Sequence, residues 1–439
     1  MPPRPGFLAR PHHLAPEERV HESVRPLELY FDLVFVLGFT QCTALMVARP
    51  TWDGIGHGVL VLAVLWWAWV GYSWLTSVIE PEEGVVRLAL IAAMAGLLVV
   101  ALCVPGAFDD DGRTFAIAYG VVRAVHIGLF VLASRGGPGL RRSVVTHAAT
   151  TAAAVILLFG ASFATDWGQE AVWVLAILVD WIGPAVLGID GWRLVPAHFT
   201  ERYNLVIILA LGESIVALGA GAERELTAGV LVAAVLGVSV ASALWWIYFD
   251  VVSLGNARRL RAATVGRTQN ALARDSYSYL HFPMVAGIVL AALGMEETLA
   301  HHDEALDGPH AAALLGGIAL YLLGHVDLRL RSAHSINPQR LALAVVLVAL
   351  VPAATQVSAL VTLAAVNVPL WVLIALETRR YGDSRYRLRH GLDIPLPGTA
   401  DPATDGAARN GASTDEGAAD QPADAPATDI DATIAPGDR

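Results

Sequence analysis

HGVLVLAVLWWAWVGYSWLTSVI, residues 57–79, runs for twenty-three positions without an Asp, Glu, Lys or Arg. As a helix it covers about 35 Å, enough to cross the ~30 Å hydrocarbon layer of a bilayer. Lipid offers backbone N–H and C=O groups no partner, so such a segment must satisfy them internally as an α-helix. Working outward, comparable runs occupy 29–48, 85–105, 114–133, 143–163, 170–190, 203–221, 228–250, 277–297, 309–328, 341–356 and 358–377. The expected fold is therefore an all-α integral membrane protein of about twelve transmembrane helices. The last two runs are separated by almost nothing, and can also be read as one hairpin or a re-entrant segment.

Composition agrees. Of 439 residues, 55% belong to the apolar set and 16% are charged, too apolar for a water-wetted surface. The net charge of −11 comes mostly from the segment after His390, where ten Asp or Glu residues face only Arg409 and Arg439. That segment is rich in Ala, Asp, Gly, Pro and Thr and reads as a disordered tail. The N-terminal stretch MPPRPGFLARPHHLAPEERVHESVRP has no short apolar core followed by a small-residue cleavage site, so the first span is expected to do the targeting. Cys42 and Cys103 lie in apolar runs and suggest neither a disulfide framework nor a metal site.

Arginine placement orients the chain. The N-terminal arm holds Arg4, Arg10, Arg19 and Arg25, and every second connection continues the pattern through Arg87, Arg135, Arg193, Arg202, Arg258, Arg329 and Arg379 with their neighbours. The intervening loops hold only Arg49, Arg113 and Arg224, a bias of twenty-three against three. Loops retained in the cytoplasm are enriched in such cations, which predicts a multi-pass protein of the bacterial inner membrane with both termini cytoplasmic.

The halves resemble each other. Glu28-Leu29-Tyr30 is answered by Glu201-Arg202-Tyr203, Leu65-Trp66-Trp67 by Leu244-Trp245-Trp246, and MAGLLVVAL from Met94 by VAGIVLAAL from Val285, at offsets of 173, 179 and 191. Six helices is an even number, so two copies enter the membrane the same way, as parallel repeats about a pseudo-twofold axis along the membrane normal. The expected organisation is a cytoplasmic arm at 1–27, six-helix units at 28–192 and 193–380, and an acidic tail at 381–439.

Ionisable residues within spans are costly and so become candidate functional groups. Glu28 and Asp32 share one helix face, with Phe35 and Phe39 continuing it; both carboxylates could equally complement the positive end of the helix dipole. Glu213 follows the apolar stretch that begins at Leu205 and is flanked by Gly212 and Ser214, so it should lie deep. Arg123 is read as the one arginine within a span, with Glu213, Asp32 or Asp180 as its natural partner. Glu201 sits in the repeated motif. Asp250 is a further candidate, and His281 precedes Phe282-Pro283, where proline frees a carbonyl inside a span. His147 and His325 read as packing histidines, and the His301-His302-Asp303 loop as solvated. The candidate polar network is thus Glu28, Asp32, Arg123, Asp180, Glu201, Glu213 and His281.

The stretch from Glu28 to Val36 with Phe39-Thr40-Gln41, Glu201-Arg202-Tyr203 leading to Ala210-Leu211-Gly212-Glu213-Ser214, and Tyr277-Ser278-Tyr279-Leu280-His281 with Pro283 resemble three signatures of the bacterial low temperature requirement protein A family. The resemblance runs from about Arg19 to Arg380. It implies a multi-pass membrane protein named for growth at low temperature, without a defined biochemical activity. The spacing Glu28-x-Tyr30-x-Asp32 is also similar to the first helix of duplicated six-helix potassium channels, although their Phe-Ser-Asp serine is absent here and Asn204-Leu205 stands in the second copy.

Two functions follow as expectations. One is a channel or transporter for an ion or small solute, its charged side chains converging between the halves. The other is a non-transport membrane protein supporting envelope function or growth in the cold, its charges serving as separate helix locks. No H-E-x-x-H, G-x-S-x-G or P-loop is present, so no enzyme, cofactor or metal is expected. The expected partners are the lipid bilayer, an ion or small solute, and a second copy in a homo-oligomer, with no nucleic acid.

Overall fold

A computed structural model describes residues 23–390, except 83, 135–137, 189–190, 193, 222–225 and 381. The arm before residue 23 and the tail from residue 391 lie outside the described residues, and the first part of the expected 381–439 tail, Gly382–Arg389, is a helix. Within them the fold is helical: α1 Pro26–Ala48, α2 Trp52–Thr76, α3 Gly84–Cys103, α4 Gly112–Ala133, α5 Pro138–Ala161, α6 Asp166–Leu187, α7 Pro196–Gly221, α8 Ala228–Ile247, α9 Ser253–Ala262, α10 Arg267–Ala273, α11 Phe282–Ala300, α12 Gly308–Ala333, α13 Pro338–Ala354, α14 Ala359–Arg380 and α15 Gly382–Arg389.

Eleven helical segments among the described residues are long and apolar enough to span a membrane, which makes this a multi-pass membrane protein. The expected eleventh run corresponds to α13, apolar but shorter at 17 residues. Two segments exceed expectation. Ala228–Ala262 and Arg267–Ala300 run for 35 and 34 residues, about 50 Å each, so they outreach the hydrocarbon core. Each contains a π-helical turn, Tyr248–Val252 and Arg274–Tyr279. In the second, the Leu280 N–H donates to the Asp275 carbonyl five residues back (3.1 Å), and α11 then starts with Pro283 in its first turn, where no N–H is needed.

Burial is inverted relative to a soluble protein. Side chains such as Leu88, Ile117, Ile156, Val235, Val345 and Val368 lie open on the outer faces. The centre is α2, whose residues from Val61 to Thr76 are all buried, as expected of a helix apolar all round. α11 and α12 pack closely because facing glycines remove side chains from their contact. A Cβ on Gly287 would stand 2.5 Å from the Gly317 carbonyl oxygen, and one on Gly317 2.6 Å from the Ala291 nitrogen.

The neighbours of each helix define the bundle. α1 packs on α2 and α3, and α7 on α8 and α11; α3 packs on α4, and α11 on α12; α4 packs on α5, and α12 on α13; α6 packs on α5 and α2, and α14 on α13 and α8. α1 also lies along α7. At one end, the α11–α12 and α13–α14 connections meet, with Ala359 N–H donating to the Glu304 carbonyl (2.7 Å) and Leu360 N–H to that of His302 (3.0 Å). At the other end of the hairpin, Arg340 at the start of α13 pairs with Glu377 near the end of α14 through bonds of 2.8 and 2.7 Å.

Candidate functional site

Glu28 and Asp32, one turn apart on α1, do share a face, and both meet Arg202 of α7. Arg202 Nη1 donates to Glu28 Oε1 (3.1 Å) and to Thr76 Oγ1 (2.9 Å), while Nη2 donates to Asp32 Oδ1. Trp69 Nε1 donates to the same Asp32 oxygen at 2.9 Å, and the guanidinium lies 5.6 Å over the Trp69 ring. His198 Nε2 sits 2.9 Å from Glu28 Oε2, which also accepts from the Arg25 N–H at 3.0 Å. A carboxylate opposite Nε2 fixes the ring proton on that nitrogen. All four groups are at most 1% exposed. One guanidinium thus stands between two carboxylates with a histidine beside them, and Asp32 Oδ2 and His198 Nδ1 have no partner.

Arg202 corrects the reading of Arg123 as the single arginine within a span. It belongs to a transmembrane helix and is fully buried, although its place before the apolar run made it resemble a loop cation. Glu201, its neighbour, faces elsewhere: its Oε2 accepts from the Val24 N–H at 3.0 Å.

Arg123 finds Asp180, one of its three expected partners. Nη2 donates to Asp180 Oδ1 and Oδ2 (3.2 and 3.0 Å) and to Thr151 Oγ1 (2.8 Å), and Nη1 to the Trp67 carbonyl (3.2 Å). Thr151 in turn donates to Asp180 Oδ1 at 2.8 Å, so α4, α5, α6 and α2 are tied at one level. Gly71 makes room: a Cβ there would lie 3.3 Å from Arg123 Nη1 and 2.8 Å from His126 Cε1. Two cavities flank this knot. The larger is lined by His126, His147, Trp67, Trp74, Trp192 and Arg274 among others, and its empty space of about 540 Å³ includes space open to the outside. The smaller, about 200 Å³ on the same measure, is lined by Asp180, Tyr119, Trp67 and Trp181 among others.

Glu213 is buried as expected, but pairs with no cation among the described residues. Its Oε2 lies 2.5 Å from Thr40 Oγ1, and that hydroxyl is also 3.1 Å from the Val36 carbonyl oxygen. One hydroxyl carries one proton. Both bonds are satisfied if Glu213 is the neutral acid donating to Thr40 Oγ1, which donates onward to Val36. The ties 28–202, 32–202 and 40–213 are separated by 174, 170 and 173 residues, so α1 and α7 lie side by side and point the same way.

His281 is placed by the π-turn. Its Nδ1 is 2.8 Å from the Ser276 carbonyl and its Nε2 2.9 Å from the Tyr248 hydroxyl. Two residues before it ends the Arg274–Tyr279 turn, which presents Ser278 to the other half of the chain: Trp66 Nε1 donates to the Ser278 carbonyl (2.8 Å) and Trp74 Nε1 donates to Ser278 Oγ (2.9 Å), while the Tyr203 hydroxyl of its own half is 3.1 Å from Oγ.

The seven expected residues therefore do not converge on one point. Glu28 and Asp32 share Arg202, Arg123 holds Asp180, and Glu201, Glu213 and His281 each stand apart. Sequence reading missed Arg202, His198 and the Arg340–Glu377 pair, to which Asn337 Nδ2 adds a bond of 2.8 Å. Asp250 is held in its π-turn by Arg385 and Arg389.

Comparison with known proteins gives three findings. The family described as bacterial low temperature requirement A protein (LtrA) matches residues 23–376. The chain is similar to the uncharacterized protein RA0937 of Rhizobium meliloti, 31% identical over 350 residues, covering 73% of this chain and 81% of that protein. No solved structure matches.

Proposed function

The chain belongs to the bacterial low temperature requirement A family, and from that premise we propose that it is a permeation protein, a channel or transporter for an ion or small solute, and not an enzyme. The observation that carries this reading is the pair of pockets lined by residues of α2, α4, α5 and α6 around the buried Arg123–Asp180 pair. A solute entering from one side meets aromatic walls and two imidazoles, then a paired arginine and aspartate that form the constriction. Ionisable groups that line a cavity inside a helical bundle mark solute and ion pathways in membrane proteins.

The finer architecture in this proposal is twelve spans in two parallel six-helix repeats, in the inner membrane with both termini cytoplasmic. The matching neighbours of α1–α6 and of α7, α8 and α11–α14 support it. So does the Thr40–Glu213 contact, because those positions differ by 173, the offset of the repeated Glu-x-Tyr motif, and would lie on the pseudo-twofold axis. α13, about 26 Å long with its two ends at opposite ends of the hairpin, would supply the twelfth span.

The test is flux in proteoliposomes carrying wild type or the Arg123→Met/Asp180→Asn double variant, which removes both charges together. Wild-type flux of potassium, sodium, protons or a small organic anion, raised several-fold in the double variant, is the expected result. No flux of any of these in either protein would refute it. The second reading, a non-transport protein supporting envelope function or growth at low temperature, is favoured by one observation: the buried charges pair off separately, Arg202 with Glu28 and Asp32, Arg123 with Asp180, Arg340 with Glu377.

A further inference from the structure

We propose that Arg259 and Arg329 hold the phosphate of an anionic phospholipid headgroup at the end of the bundle where α9 meets α12. The inference does not depend on the permeation reading.

α9, SLGNARRLRA, carries Arg259 and Arg261, and the last turns of α12 carry Arg329 and Arg331. Arg259 reaches across to α12: its Nη1 donates to Ser332 Oγ at 3.3 Å and lies 3.5 Å from Asn256 Oδ1. Arg329 and Ser332 are three positions apart on α12 and so share a face. Helix packing therefore brings the Arg259 and Arg329 guanidiniums close enough to repel each other. Arg329 in turn donates from Nε to Ser335 Oγ at 3.0 Å. Both cations thus meet only neutral hydroxyl and amide oxygens, and among the described residues neither forms an ion pair. Asp275 is already shared by Arg274 and Arg331, and Asp250 by Arg385 and Arg389. Asp327, two positions before Arg329, projects from the opposite side of α12.

Two like charges held together without an acid repel, and an anion placed between them turns that repulsion into attraction. Arg259 is exposed and Arg329 half-buried, so the unused N–H groups of both forks can be reached from outside. Planar guanidinium forks match the oxygens of a phosphate through paired, charge-assisted bonds. Depth selects a lipid over a free phosphate. From Gly308 to Arg329, α12 rises about 32 Å, one hydrocarbon thickness, which sets Arg329 at the level of the headgroups. Leu254 on α9 and Leu330 on α12 are exposed on the same two helices and offer apolar sides to acyl chains. Basic pockets between membrane helices at this level recognise anionic headgroups in the same way.

The experiment is native mass spectrometry of the full-length protein released from neutral micelles doped with phosphatidylglycerol or phosphatidylcholine. Expected is retention of phosphatidylglycerol about tenfold above phosphatidylcholine, undisturbed by millimolar inorganic phosphate. Arg259→Gln/Arg329→Gln should lower that retention about tenfold. Arg141→Gln/Arg142→Gln, which removes the same charge from an exposed pair on α5, should leave it unchanged. Arg261→Gln breaks no bond seen in the structure and should weaken retention about threefold; it decides the matter if the double variant does not fold. Equal retention of the two lipids, retention unchanged in both the Arg261 variant and the folded double variant, or an equal loss in the α5 control would overturn the proposal. Displacement of the lipid by inorganic phosphate would overturn it too, in favour of a site for the free anion.

Discussion

Replacing Arg202 by Met removes a guanidinium and leaves a side chain of similar length. The structure specifies what is lost: bonds to Glu28 Oε1, Asp32 Oδ1 and Thr76 Oγ1, and the cation over the Trp69 ring. Glu28 would retain His198 and the Arg25 N–H, but Asp32 would retain only the Trp69 N–H. Breaking a buried ion pair from one side costs about 3–5 kcal/mol, because the partner charge is stranded in low dielectric. We expect Arg202→Met to lose that much. Arg202→Lys should lose about half, since one ammonium cannot serve two carboxylates through a planar fork. The Arg202→Met/Glu28→Gln/Asp32→Asn variant, which has no charge left to strand, should recover to within about 2 kcal/mol of wild type. Reversible unfolding in mixed micelles, followed by tryptophan fluorescence, measures all of these. A loss below about 1 kcal/mol in Arg202→Met, or a triple variant no more stable than the single one, would refute the reasoning.

Gly71→Val places a branched side chain against His126 and Arg123, whose atoms already stand 2.8 and 3.3 Å from a bare Cβ. The expected loss is about 1–3 kcal/mol in thermal unfolding. If Glu213 is the neutral acid, the infrared spectrum of wild type contains a protonated-carboxyl C=O band that disappears in Glu213→Gln; a difference spectrum showing loss of carboxylate bands instead would mean that Glu213 is ionised. Glu377→Gln keeps the shape but removes the charge facing Arg340 and should destabilise the α13–α14 hairpin by about 3 kcal/mol, read as earlier proteolytic cleavage between residues 354 and 359.

Hydropathy alone located almost every helix, because a lipid-exposed helix must be apolar along its whole length whatever its tertiary neighbours are. The shared face of Glu28 and Asp32 was legible for a similarly local reason, the i,i+4 geometry of one helix. Asp180 could only be named as one of three partners for Arg123, since the choice depends on how α4, α5 and α6 pack. Arg202 and Arg340 escaped notice because they stand at the edges of apolar runs, where a buried cation and a loop cation look alike in sequence. Counting them as loop arginines strengthened the topology argument at the cost of hiding three ion pairs. The cavity beside His126 and His147 was invisible for another reason. It is made by the missing side chain at Gly71 and by how α2, α4, α5 and α6 pack, neither of which a single helix's sequence reveals.

Asp32 and Arg202 are separated by 170 residues. At a synthesis rate of about 5–20 residues per second, roughly 10 to 30 s pass between the emergence of α1 and that of α7. During that interval the first helix carries two acids and lacks the base that will neutralise them. It is poorly suited to free residence in lipid until its partner is translated. The seam between α1 and α7 therefore closes only after α2 to α6 have been made. A chain interrupted before Arg202 carries Glu28 and Asp32 without the guanidinium that answers them both.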